Sequence, residues 1–171
     1  MPKHDESAAY LPSPSQMVFE HLDDQTRLGE HMSRSSAMMG GGRMSYEFDK
    51  ARGKAVGSHI KFRGRAFGIS IFVDEVVTER IPPRRKVWRT VGTPQLLIIA
   101  GYEMGFELKP HNGGTDLRVW IDYELPAAGV RRLLGLLLGK FYARWCVQQM
   151  VSDAVRRFSP PLAEATSVSA A

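Results

Sequence analysis

Tyrosines on predicted strands are the side chains best placed to do chemistry inside a fold of this chain. Tyr46, Tyr102 and Tyr123 each lie on the apolar side of a run in which apolar and polar residues alternate. A phenol in apolar surroundings needs a hydrogen-bond partner, and it can orient a ligand or carry a proton. The same pattern places no histidine or carboxylate on the inner side, so few side chains suited to acid–base catalysis are expected there.

The segment from Arg85 to Val91 leaves two alternatives open, because either Trp88 or Arg89 can face inward. An inward Arg89 is a buried cation that needs an internal acid or the carboxylate of a ligand. An inward Trp88 adds apolar surface and one N–H donor instead.

Other reactive residues lack the surroundings that their chemistry needs. Glu20 and His21 have the spacing of solvated helix surface, and no metal site is expected. Cys146 is the only cysteine and has no histidine at helical spacing, so it is interpreted as a structural thiol. The run Gly40–Gly42 precedes a strand and not a helix, and it is interpreted as a connector. No cofactor is expected.

Hydrophobic periodicity predicts the elements that would position these residues. Alternation from about residue 43 to 124 predicts six antiparallel strands, with turns at Pro82–Pro83, Gly92–Pro94 and His111–Gly114. A helix-period pattern predicts one long helix from about 127 to 158, with Leu134, Leu138, Phe141 and Trp145 on its sheet-facing side. Two short helices are expected before the strands, the second ending near Met32.

The order of these elements resembles the START-like superfamily, the polyketide cyclase/dehydrase and lipid-transport (SRPBCC) group. The resemblance covers about Glu6 to Phe158, and it is carried by the opening stretch Pro12–Asp24, by Val76–Arg85, by Gly113–Thr115 and by the last helix with Trp145. It implies an α+β helix-grip fold, in which a curved antiparallel sheet of about seven strands surrounds a long C-terminal helix, with two short helices after strand 1. The expected organisation is a disordered start (1–4), one domain (5–159) and a flexible tail (160–171).

The resemblance also implies a hydrophobic cavity between the sheet and the last helix, although a filled core fits the periodicity equally well. The expected lining residues are Tyr46, Phe48, Phe62, Ile71, Val73, Arg89, Tyr102, Met104, Val119, Ile121, Tyr123, Leu134, Phe141 and Trp145. The expected rim residues are Met38, Met39, Phe67, Leu96, Leu97, Arg131 and Leu137.

Composition and charge narrow the classes of function. The chain has 171 residues, one cysteine and a formal net charge of +5, which excludes an internal disulfide framework. No apolar run reaches the roughly 20 residues of a spanning helix. The start of the chain lacks a secretory signal pattern, so a cytoplasmic location is expected. Nucleic acid is not an expected partner, whereas the arginines near the leucine run suit an anionic membrane.

These observations lead to three functional hypotheses. The first is a carrier or sensor that binds a lipid, a polyketide-like compound or an aromatic or isoprenoid compound in the cavity, without enzymatic activity. The second is a cyclase/dehydrase or aromatase that uses the same cavity with no metal or organic cofactor. The third is a membrane-associated accessory module. The sequence does not determine the oligomeric state.

Overall fold

The computed structural model describes residues 1–25, 44–66 and 69–159. In chain order the elements are β1 (Lys3–Leu11), α1 (Ser15–Asp23), β2 (Met44–Phe48), β3 (His59–Ala66), β4 (Ile69–Ile81), β5 (Arg85–Gln95), β6 (Gly101–His111), β7 (Gly114–Glu124) and α2 (Gly129–Phe158). The predicted α+β architecture is confirmed, with seven strands, a short helix after the first strand and a long C-terminal helix. The second predicted short helix and the predicted C-terminal tail lie mostly or wholly outside the described residues.

All seven strands form one antiparallel sheet in the order β1-β7-β6-β5-β4-β3-β2. Strands β2 to β7 follow one another as a meander, and β1 adds to the free edge of β7, from Lys3 opposite Tyr123 to Leu11 opposite Thr115. The first strand therefore begins at Lys3. Pairing with β7 satisfies the backbone of residues that the sequence assigned to a disordered start.

Most of the turns lie where the sequence predicts them. Asn112 and Gly113 have φ angles of 46° and 78°, the left-handed geometry that a two-residue hairpin turn requires. The predicted turn at Gly92–Pro94 is wrong, because β5 continues through it to Gln95. Gly92, with φ of 69°, absorbs an irregularity of pairing in which Val91 opposes Asp74 while Gln95 opposes Phe72.

Helix α2 packs against β1 and β7 through small residues. Gly135, Gly139, Ala143 and Val147 follow one another at a spacing of four, and all are buried. A Cβ added at Gly135 would lie 2.7 Å from the carbonyl oxygen of Ile98, so the helix backbone approaches the protein closely there.

The predicted sheet-facing side of α2 is therefore wrong for most of its residues. Leu134, Leu138 and Phe141 are 37%, 43% and 64% exposed, and Trp145 is half-buried. The periodicity identified an apolar stripe correctly but assigned it to the wrong side, because small residues rather than leucines face the sheet.

Helix α1 is fixed to the sheet by apolar packing and by a buried ion pair. Val18, Phe19 and Leu22 are at most 1% exposed and join the main core. Asp23 closes the helix, and its carboxylate accepts a hydrogen bond of 2.8 Å from Nζ of the fully buried Lys86 on β5.

Arg80 on β4 donates to the other oxygen of Asp23 at 2.8 Å. Burial alone would raise the pKa of Asp23, but the hydrogen bonds from Arg80 and Lys86 outweigh burial and leave that pKa below its usual value. The aspartate at the end of the first short helix, part of the resemblance, thus acts as the anchor between α1 and the sheet.

Candidate functional site

A buried carboxyl group occupies the inner face of the sheet. Glu75 on β4 is only 3% exposed, and the hydroxyl of Tyr102 on β6 donates a hydrogen bond to its Oε1. Along β4, Val73, Glu75 and Val77 are buried in alternation, so the strand geometry turns the glutamate toward the interior together with two core valines.

The surroundings of Glu75 favour its protonated form. Burial raises the pKa of Glu75 from 4.5 to about 7, against the opposing effects of the Tyr102 hydrogen bond, the positive charge of Lys86 and a contact from Trp88. Burial, with Glu75 next to it, also raises the pKa of Tyr102 well above 10. Near neutral pH the site therefore holds a neutral phenol beside a carboxyl group that both gains and loses its proton readily.

Helix α2 contributes two further polar groups to this region. Tyr142 and Cys146 are one helical turn apart, and their side chains share a hydrogen bond. The pKa of Tyr142 is raised well above 10 by the neighbouring Cys146 and by burial, and Glu75 adds to this rise. Burial raises the pKa of Cys146 to about 12, so its thiol stays protonated and is a poor nucleophile.

An aromatic wall on β2 and β3 continues the inner face beyond Glu75. The rings of Tyr46 and Phe62 meet edge to face with centroids 4.9 Å apart, and Phe48 stacks beside Tyr46 at 6.4 Å. All three are half-buried. Burial, followed by the charge of Glu75, raises the pKa of Tyr46 to about 12, which links this wall electrostatically to the carboxyl group.

The predicted lining residues divide into three groups. Those buried in the sheet are Val73, Met104, Val119, Ile121 and Tyr123. Those half-buried are Tyr46, Phe48, Phe62, Ile71, Tyr102 and Trp145. Those exposed are Arg89, Leu134 and Phe141. Of the predicted residues, the structure gathers Tyr46, Phe48 and Phe62 of the aromatic wall, together with Tyr102, near Glu75.

The alternative with an inward Arg89 is wrong. Trp88 is 3% exposed and pairs with Met104, while Arg89 pairs with the exposed Glu103 on the opposite face. Because successive strand residues point to opposite faces, the inward Trp88 excludes an inward Arg89. Arg89 is therefore not available to a ligand on the inner face.

The predicted rim is only partly described. Leu96 and Leu97 are half-buried after β5, and Arg131 and Leu137 are exposed on α2. Met38, Met39 and Phe67 lie outside the described residues.

Sequence reasoning missed Glu75, Tyr142 and Lys86. Glu75 had a detectable signal, because the apolar residues Ile71, Val73 and Val77 lie an even number of positions from it along β4 and therefore share its face. Tyr142 had none, because its inward position depends on which stripe of α2 meets the sheet.

Within residues 1–25, 44–66 and 69–159, no three histidine, cysteine, aspartate or glutamate side chains converge as a metal site would require.

Comparison with solved structures supports the fold, whereas comparison of sequences finds no match. No family model matches the chain, and no curated protein matches it. Among solved structures, protein TTHA0849 of Thermus thermophilus is similar with a TM-score of 0.63 and 18% identity, covering 92% of this chain and 100% of that one.

Two further structures show the same likeness. Protein CV1439 of Chromobacterium violaceum has a TM-score of 0.62 and 18% identity, covering 94% of this chain and 100% of its own. The Zhui aromatase/cyclase of a Streptomyces species has a TM-score of 0.59 and 14% identity, covering 92% and 96%. With the seven-stranded sheet order and the long last helix, these likenesses show that the chain has the helix-grip fold.

Proposed function

We propose that this protein binds a hydrophobic small molecule that carries one hydrogen-bonding group, as a carrier or a sensor. The observation that carries the proposal is the Glu75–Tyr102 pair, which is buried on the inner face of the sheet beside half-buried aromatic side chains. A binding site for such a ligand combines mostly apolar walls with a few polar groups that fix its orientation.

The two parts of the site would have different tasks. Tyr46, Phe48 and Phe62 would bury the apolar body of the ligand, at about 25 cal/mol for each Å² removed from water. Glu75 would bind the polar group, because a carboxyl group with a pKa of about 7 can donate or accept a hydrogen bond near neutral pH.

This chemistry favours neutral ligands such as phenols, enols and alcohols. A ligand carboxylate would repel the ionised form of Glu75, and the cations Arg80 and Lys86 on the inner face are already paired with Asp23. The favoured classes are therefore aromatic, polyketide-like and isoprenoid compounds rather than free fatty acids.

Native mass spectrometry of the purified protein, followed by extraction and identification of any bound compound, is the direct experiment. Binding of 2-naphthol and of farnesol, measured by calorimetry, then compares two matched variants. Phe62→Ser alters the inner face, whereas Phe72→Ser alters the outer face, where Arg63 lies over the Phe72 ring at 5.1 Å. We expect Phe62→Ser to weaken binding at least roughly tenfold and Phe72→Ser to leave it unchanged. Equal effects, or a protein that binds neither probe, would refute the proposal.

A second candidate function is a cyclase or dehydrase that acts on a polyketide-like substrate. The observation that favours it is the proximity of a carboxyl group with a pKa of about 7 to a phenol, since acid–base catalysis works best when the pKa lies near the working pH. The aromatase/cyclase among the similar structures is consistent with this candidate.

In such a reaction Glu75 would remove a proton from carbon next to a carbonyl, and the resulting enolate carbon would attack a second carbonyl of the substrate to close the ring. The protonated Glu75 would return its proton to the new alkoxide, and that hydroxyl would then leave as water together with a proton from the neighbouring carbon. Tyr102, which donates its O–H to Glu75, would hold this carboxyl group in position. Incubation with a synthetic poly-β-ketone thioester tests this role. We expect Glu75→Gln to abolish the mass loss of one water while the thioester still binds. Unchanged product formation by that variant would exclude catalysis by Glu75.

A further inference from the structure

The first three turns of α2 present an apolar surface to solvent. Val130, Leu133, Leu137 and Phe141 are 75%, 58%, 69% and 64% exposed, and Leu134 between them is 37% exposed. These five residues, here named the leucine face, lie on the side of the helix opposite the buried Gly135 and Gly139. At 1.5 Å per residue the leucine face is about 17 Å long.

Positive charges accompany the leucine face along α2. Arg131, Arg132, Lys140 and Arg144 are all exposed on the same helix. Between residues 125 and 152 the sequence contains no aspartate or glutamate, so no acidic residue of this stretch offsets the four cations. Neither α1 nor α2, the helices that the structure describes, has the combination of length and hydropathy needed to cross a bilayer.

We propose that the leucine face docks this protein onto an anionic lipid bilayer, with α2 lying in the plane of the membrane surface. Helices that bind in this way carry leucine or phenylalanine on one side and lysine or arginine beside it. The apolar side chains enter the interface, while the cations are attracted to the acidic headgroups. This docking is independent of the ligand site on the inner face of the sheet.

Charge distinguishes the bilayer from a second copy of the chain as the occupant. In a two-fold dimer through this face, the same surface patch of both copies meets, so Arg131, Lys140 and Arg144 of both copies would lie in or beside one interface. That arrangement brings six cations together in an apolar interface, which is unfavourable, whereas an anionic surface would attract the same cations.

Co-sedimentation with vesicles tests the proposal. Vesicles of phosphatidylglycerol and phosphatidylcholine in equal parts are compared with vesicles of phosphatidylcholine alone, at about 0.05 M and about 0.5 M NaCl. We expect binding to the anionic vesicles at low salt, and a loss of most of it at high salt or without phosphatidylglycerol.

Matched double variants separate the leucine face from apolar exposure in general. Leu133→Ser with Leu137→Ser is compared with Met17→Ser with Val56→Ser, which removes side chains that are 56% and 62% exposed elsewhere. We expect the first pair to weaken vesicle binding at least roughly tenfold and the second to leave it unchanged. Because all four positions are exposed, the far-UV circular dichroism of both pairs should match the parent.

Charge variants complete the design. Arg131→Gln with Lys140→Gln should weaken binding by roughly fivefold for each charge, whereas Lys50→Gln with Lys54→Gln, at exposed positions away from α2, should have little effect. Equal binding by the leucine-face pair and its control would overturn the proposal. A dimer in sedimentation velocity that Leu137→Ser dissociates, without vesicle binding by the parent, would overturn it in favour of self-association.

Discussion

Glu75→Gln should remove a loss of stability that this protein otherwise suffers as the pH rises from about 4.5 to 7. In the unfolded chain the carboxyl group ionises near its usual value of 4.5, whereas burial in the fold raises its pKa to about 7. Below pH 4.5 both states hold the proton. As the pH rises from 4.5 toward 7, the unfolded state loses its proton first, so this group progressively destabilises the folded state.

The magnitude follows from the two pKa values. At about 1.4 kcal/mol for each pH unit, the interval from 4.5 to about 7 corresponds to roughly 3 kcal/mol of lost stability, complete above pH 7. Glutamine has the shape of protonated glutamate and does not titrate. The variant should therefore match the parent near pH 4.5 and exceed it by about 3 kcal/mol near pH 8.

Urea unfolding at a series of pH values from 4.5 to 8 measures this difference. Glu103→Gln is the matched control, because it makes the same change at an exposed position on β6. Subtracting the parent from each variant removes the contribution of the histidines and the other carboxylates. A Glu75→Gln difference that stays flat across this range would refute the claim that the glutamate is buried with a raised pKa.

Three further predictions concern the same interior. Tyr102→Phe removes a hydrogen bond that lowers the pKa of Glu75, so the pH profile described above should move to higher pH; an unmoved midpoint would contradict this contact. Gly135→Ala should cost about 1–3 kcal/mol in urea unfolding, because its Cβ meets a backbone oxygen at 2.7 Å. Gly139→Ala should be nearly neutral, because its Cβ meets the movable end of Leu125 at 3.0 Å and the ring of Tyr123 at an ordinary contact distance of 3.5 Å. Asp23→Asn should cost about 3–5 kcal/mol at pH 7, because it leaves Lys86 buried without its anion, and this cost should shrink as the pH falls below the usual aspartate pKa of 3.8.

The sheet was predictable because alternation of side chains is a local property of each strand. Tyr102, Met104 and Phe106 could be placed on one face without any knowledge of their partners. The hairpin at Asn112 and Gly113 was equally local, since two residues with positive φ determine the turn. The order of strands needed more than local pattern, and it came from the resemblance.

The site was predictable only in its aromatic part. Apolar residues were assigned to the interior by type, which placed Tyr46 and Phe62 correctly but left Glu75 outside. Burying a carboxylate is costly, so placing such residues outside is a sound rule. Glu75 is an exception because Tyr102 donates a hydrogen bond to it and because protonation removes its charge.

The exposed leucine face and the inner polar groups are two consequences of how α2 packs. A helix has one stripe that can meet the sheet, and on α2 that stripe is formed by Gly135, Gly139 and Ala143, which let the backbone approach closely. The same rotation carries Tyr142 and Cys146 toward Glu75 and turns Leu133 and Leu137 to solvent. Rotating the leucines inward would bury more apolar area but would remove Tyr142 from the site and force the helix away from the sheet. The packing that builds the interior thus leaves an apolar surface outside, which is the surface that an anionic bilayer would cover.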